Sequence, residues 1–192
     1  MNPLYPALLL LSVMIFLDRK FFRVLAYSVA FNFIVAMISL QIEMVSGTVL
    51  FIFGCLFVPL LMWFAIEKCE KVEKEWFKEL VAITVISIPA LYLFFGYLGI
   101  TEDHAMLFLI FAFSLIAALT AKNLLKFLFI FDVAENTLIL TAYSFFSANI
   151  LQNLPSVIFI EMATFLPFVL LTYLTIHIFK KYRSLNPWRL WH

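Results

Sequence analysis

Apolar residues run almost unbroken through seven stretches: Leu4–Leu17, Phe21–Ile42, Val45–Ile66, Leu80–Ile100, Ala105–Ala121, Leu124–Ser147 and Ser156–Phe179. None of them alternates polar and apolar positions as a half-buried strand does. Runs this long and this apolar can satisfy their backbone groups in lipid only as helices. The pattern therefore predicts an all-α, polytopic membrane protein with about seven transmembrane helices, the first of them short. The chain divides into three helices (1–66), a charged connector (67–79), four helices (80–179) and a basic tail (180–192). The connector, EKCEKVEKEWFKE, predicts a helical extension with Glu67–Lys71 and Glu70–Lys74 at i,i+4. It reads first as a solvated linker and second as a contact for a peripheral subunit. No sequence repeat relates the two halves.

Composition agrees with the pattern. Of 192 residues, 65% are hydrophobic and 13% charged, and a soluble domain carries about twice that charge. Charge placement then orients the chain. With seven helices, all 13 Lys and Arg residues fall on one face, in the loops after helices 1, 3 and 5 and in the tail. The opposite loops hold only Glu43, Glu102 and Asp103. The positive-inside rule then places the N-terminus outside and the C-terminus in the cytoplasm, in a cell membrane. Trp63, Trp76, Trp188 and Trp191 cluster toward the basic face, as interfacial anchors do. The start, MNPLYPALLLL, has no basic n-region and no small-residue cleavage site, so it reads as a first membrane helix. A net charge of +1 with no basic run gives no sign of nucleic-acid binding.

Polar residues inside the apolar runs are the candidate chemistry. Glu135 lies about 13 Å beyond Lys126 along one helix, near the middle of a roughly 30 Å hydrocarbon layer. A charged carboxylate there costs at least about 2.5 kcal/mol on the mildest insertion scale. Asp132 precedes it at i,i+3, and Asn136 follows Asp132 at i,i+4. Two carboxylates this close in a low dielectric resist holding two charges at once, which is the condition for carrying a proton. The bland alternative is a structural pair, met by a basic or hydrogen-bonding group on a neighbouring helix or subunit. No Lys, Arg or His lies at matching depth elsewhere in the chain, so an ionised pair implies a partner from another chain. Glu161 reads first as an interfacial carboxylate favoured by a helix N-terminus, and second as an exit-side relay. His177 reads as an interfacial hydrogen-bonder and Asn32 as an interhelical packing residue. Pro59, Pro89 and Pro167 predict bends. Among 24 Phe, many must face lipid or the apolar surfaces of other subunits.

No phosphate loop, nucleophile triad, metal-ligand set, haem histidine pair or cysteine cluster is present, so independent catalysis is not expected. A resemblance narrows the reading. Lys122-Asn123-Leu124-Leu125-Lys126, followed by Glu135-Asn136, resembles the E component of hydrogenase-4 and formate-hydrogenlyase-type complexes, the group 4 membrane-bound [NiFe] hydrogenases. That family carries a basic-Asn-hydrophobic-hydrophobic-basic turn and then a helix with a Met-Glu-Asn-Gly motif. Here Ala134 stands for the Met and Thr137 for the Gly. The ending IHIFKKYRSLN is similar in spacing and character, and Phe22–Leu40 and Val58-Pro59-Leu60 correspond more weakly. The last three helices are similar in turn to the K subunit of respiratory complex I and the C subunit of multisubunit cation/proton antiporters.

The resemblance implies a small membrane-arm subunit of a redox-driven pump for protons or sodium, with antiporter-like and other membrane subunits as partners and peripheral hydrogenase-like subunits beyond them. It implies no cofactor in this chain: the NiFe centre, flavin and iron–sulfur clusters would belong to partner subunits. Glu135, Asp132, Asn136 and Glu161 are then the candidate ion-translocation residues, and Lys122, Asn123 and Lys126 form the cytoplasmic-side turn. The K-type subunits carry a further glutamate on the preceding helix, whereas Ala105–Ala121 has no carboxylate. A complete proton wire within this chain is therefore not expected, and Asp132 is the candidate substitute. Three other readings stand beside this one: a structural scaffold for the antiporter-like subunits, a C-type antiporter subunit and a stand-alone transporter. The last calls for a polar substrate cavity that the sequence does not offer.

Overall fold

The computed structural model describes residues 3–42, 44–69, 78–98, 101–145 and 154–186. Every element in them is helical. In chain order these are α1 (Leu4–Leu17), α2 (Phe21–Ile42), α3 (Met44–Ile52), a π-helical turn (Phe53–Phe57), α4 (Val58–Lys68), α5 (Lys78–Tyr97), α6 (Glu102–Thr120), α7 (Leu124–Phe145) and α8 (Leu154–Tyr182). Helix therefore occupies each of the seven apolar stretches. Among the described residues four helices are long and apolar enough to cross a membrane: Phe21–Ile42, Ser46–Lys68, Glu102–Thr120 and Ile158–Tyr182. The protein is thus an all-α membrane protein. α1 has 14 residues and extends about 21 Å, short of a roughly 30 Å core. α7 is long enough but carries Lys126, Asp132, Glu135 and Asn136 in its 22 residues. Glu67 lies in the last turn of α4, but its expected partner Lys71, the pair Glu70–Lys74, and Glu43, Trp76, Trp188, Arg189 and Trp191 lie outside the described residues.

Helices α1, α2, α6 and α7 pack into one bundle, and α8 closes against α3, α4 and α7. Large aromatic side chains fill the bundle. Phe16 of α1 meets Phe113 of α6 with ring centroids 5.0 Å apart, and Phe21 of α2 stacks on Phe129 of α7 at 6.2 Å. All four rings are buried. Without a hydrophobic driving force inside lipid, such van der Waals contacts are a principal source of helix association.

The α1–α2 turn is tied to the start of α7. Asn123 caps α7: its Oδ1 accepts from the backbone N–H of Leu125 (2.9 Å) and of Lys126 (3.3 Å). The Lys126 ammonium donates to the Asp18 carbonyl at 2.5 Å and is almost fully buried. The Leu124 N–H donates to the carbonyl of Leu185, beyond α8, at 3.0 Å. Asn123 and Lys126 thus have structural work, a cap on α7 and a brace to the α1–α2 turn, while Leu124 ties the same point to the segment beyond α8.

The π turn has a covalent cause. The Val58 N–H bonds the Phe53 carbonyl, an i→i−5 step. In that register the Gly54 carbonyl faces residue 59, which is proline and has no N–H. A carbonyl orphaned in an apolar medium costs several kcal/mol unless another group reaches it. Asn32 of α2 does so: its Nδ2 donates to Gly54 O at 2.9 Å. The two helices lie close here: a Cβ at position 54 would touch the Asn32 side chain at 3.4–3.7 Å, ordinary van der Waals contact. Pro59 therefore produces more than a static bend.

Candidate functional site

Asp132 and Asn136 occupy one face of α7, and Ser28 and Asn32 occupy the facing side of α2, each pair at i,i+4. All four are buried. Asp132 Oδ2 accepts from Ser28 Oγ at 2.8 Å and from Asn32 Nδ2 at 3.2 Å. Oδ1 accepts from Asn136 Nδ2 at 2.9 Å and lies 3.4 Å from Asn32 Nδ2. Asn136 also donates to the Asp132 carbonyl at 2.9 Å and lies 3.3 Å from Asn32 Oδ1. An ionised carboxylate only accepts hydrogen bonds. Here both oxygens meet neutral donors from this chain, with no cation among these partners. For Asp132 these are the hydrogen-bonding groups on a neighbouring helix that the structural reading of the pair called for. Asn32, read from sequence as a packing residue, is the hub that joins the π turn to Asp132.

Glu135 points elsewhere. Residues at i,i+3 are about 60° apart around a helix, and here that rotation separates two environments. Glu135 is only partly buried, and its carboxyl meets the Thr164 side chain of α8, within electrostatic reach of Asp132 and Glu161. Thr164 Oγ1 donates to the carbonyls of Glu161 (3.0 Å) and Ile160 (3.3 Å). A hydroxyl has one hydrogen and two lone pairs. With that hydrogen on the backbone, Thr164 accepts from a protonated Glu135. For an ionised Glu135 the hydroxyl must turn and donate. The contact thus has a form for each protonation state.

Glu161 is buried, 3% exposed, and lies in the second turn of α8 rather than at the helix end. The favourable effect of a helix N-terminus falls off within the first turn, so the interfacial reading of Glu161 gives way to a buried one. Tyr143 of α7 donates to Glu161 Oε1 at 3.2 Å. The π turn stands between the two environments. It touches α2 through Gly54, and α8 through Phe53 and Phe57, whose rings lie 5.3 and 6.1 Å from that of Phe165. His177, 6.1 Å from Tyr173 by ring centroids, is exposed and takes no part.

Sequence reasoning brought forward Asp132, Glu135, Asn136 and Glu161; the fold turns Asp132 and Asn136 toward α2 and sets Glu135 within electrostatic reach of both Asp132 and Glu161. It missed Ser28, Tyr143 and Thr164, and gave Asn32 no role in the site. The available signal was spacing: Ser28 and Asn32 at i,i+4 in an apolar helix match Asp132 and Asn136, and Thr164 follows Glu161 at i,i+3. Among the described residues no group of three or more His, Cys, Asp or Glu side chains is placed to hold a metal.

These features define a class: an all-α membrane protein with a row of three carboxylates between its helices. No family model matches the chain, and neither a curated protein nor a solved structure matches it.

Proposed function

We propose that this chain is a small, seven-helix membrane-arm subunit of a hydrogenase- or complex-I-like redox-driven ion pump, in which Glu135 and Glu161 serve proton (or sodium) movement and Asp132 serves assembly. The observation that carries the reading is the row Asp132, Glu135, Glu161, with a hydroxyl beside each of the last two. The motif turn 122–126 and Glu135-Asn136 support the assignment to the E component of group 4 membrane-bound hydrogenases. Antiporter-like membrane subunits would complete the path on either side, and nickel and iron–sulfur centres would sit in peripheral partners.

A carboxyl that gains and loses charge needs alternative hydrogen-bonding partners in its two states. Thr164 offers them to Glu135. Asp132 is held by three side-chain donors, two of them amide nitrogens that cannot accept, and this dense bonding favours the scaffold reading for that residue alone. The test is Glu135→Gln in the complex purified with its partners. Assembly survives and ions moved per electron fall. A Gln variant that pumps at the wild-type ratio makes Glu135 structural. In this reading α1, α5 and α7 also cross the cell membrane, with the N-terminus outside and the C-terminus in the cytoplasm. Cys69, at the end of α4, then reacts with an impermeant thiol reagent from the cytoplasmic side only; labelling from the other side overturns the topology.

A further inference from the structure

The α1–α2 turn carries a second site, separate from the carboxylate row. A groove of about 610 Å³ opens there, lined by Val13, Met14 and Leu17 of α1, the turn residues Asp18, Arg19 and Lys20, and Arg23 and Tyr27 of α2. Its walls change character along its length. One end is apolar, and the other is a rim of three cations around one carboxylate.

Asp18 organises that rim. Its side chain is nearly covered and accepts from the Lys20 N–H at 2.9 Å and from Arg23 Nη2 at 3.0 Å, with Arg23 Nε 2.9 Å from its other oxygen. Tyr27 Oη lies 3.5 Å from Asp18 Oδ2. The paired Asp18 contacts hold the guanidinium in one orientation. They engage two of its N–H groups, and an arginine has five. The Arg23 side chain is 57% exposed, so its outer edge faces the opening. Lys126 adds a fourth cation beneath the turn through the Asp18 carbonyl. Among the groove's lining residues three cations stand beside one carboxylate.

We propose that this groove binds an anionic glycerophospholipid, with its phosphate on Arg19, Lys20 and Arg23 and an acyl chain along Val13, Met14 and Leu17. Position supports this occupant. α2 is long enough to span the membrane and begins at Phe21, so the cationic rim lies at headgroup height and the apolar end points into the hydrocarbon. Basic clusters between helix ends at this level suit anionic headgroups. A soluble anion would leave the apolar end uncovered, and an acidic peptide would have no use for it.

The experiment is lipid exchange on the chain purified with its accompanying membrane subunits, followed by native mass spectrometry with phosphatidylglycerol and phosphatidylcholine as probes. Phosphatidylglycerol is retained preferentially, and the Arg19→Gln/Lys20→Gln double variant loses roughly tenfold of that preference, since each cation near the surface contributes measurably. Met14→Trp, which fills the apolar end and leaves the charges in place, also lowers retention. Equal retention of the two lipids, an unchanged double variant, or full retention in Met14→Trp overturns the proposal. Displacement of phosphatidylglycerol by millimolar inorganic phosphate assigns the rim to a soluble anion and overturns it as well. Arg23 stays unmutated because its pairing with Asp18 shapes the turn.

Discussion

Asp132 and Glu135 stand one turn apart on α7, yet their surroundings differ in kind. Asp132 faces α2 and is held on both oxygens by Ser28, Asn32 and Asn136. Glu135 faces α8 and has one hydroxyl and two other carboxylates within reach. Helix geometry alone separates them, because three residues turn the side chain by about 60° toward a different neighbour. The contrast teaches that an acidic pair in a membrane sequence need not act as a pair. Polar density distinguishes the two: Asp132 meets three side-chain donors, two of them amides, and Glu135 meets one hydroxyl.

The largest expected effect comes from removing the hub. Asn32→Leu leaves the Gly54 carbonyl without its side-chain donor and takes one of three donors from Asp132. Leaving a buried carbonyl unpaired costs about 1–3 kcal/mol, and a hydrogen bond to a charged group adds about 1.5–3 kcal/mol. The expected outcome is loss of the purified complex, or a marked fall in its detergent melting temperature; an unchanged melting curve breaks the anchor half of the comparison. Asp132→Asn keeps the shape and removes charge, so it is expected to lower stability by about 1–2 kcal/mol while ions moved per electron stay near wild type.

On the other side, Tyr143→Phe removes the hydroxyl that reaches Glu161. The expected cost is about 1 kcal/mol in thermal stability, with a partial drop in coupling, smaller than that of Glu135→Gln. Full coupling in Tyr143→Phe removes Glu161 from the path. The smallest effect is expected at Pro59. Pro59→Ala restores an N–H that can serve Gly54 or Cys55, so the π turn loses its cause. Stability then changes by less than about 1 kcal/mol, and a structure of the variant shows Asn32 released from Gly54. Retention of the π turn and of the Asn32–Gly54 bond sinks the covalent explanation.

The helices were legible because in lipid the backbone admits so few alternatives: α1 and α2 begin and end where their apolar runs do. Among the described residues four of the seven expected spans have the length and apolarity to stand as such; of the other three, α1 is short and α7 carries Lys126, Asp132 and Glu135. The candidate carboxylates were legible from their cost at depth. Their partners were not. Whether Asn32 meets Asp132 depends on which helices neighbour each other and on their rotation, and a single sequence of near-uniform apolar runs gives little direction to either. The π turn was hidden for a related reason. Pro59 announces an interruption, but the register the chain takes depends on Asn32 being present to receive the freed carbonyl of Gly54. Lys126 shows the opposite case: a loop cation by sequence, it is buried against Asp18 because the fold brings the two turns together.

The central claim is that Glu135, and not Asp132, is the carboxyl that changes protonation. Difference infrared spectroscopy on the purified complex across a pH step reads this directly, through the carboxylic C=O stretch. The account predicts that the signal loses intensity in Glu135→Gln and is retained in Asp132→Asn. A signal untouched by Glu135→Gln but abolished by Asp132→Asn contradicts it.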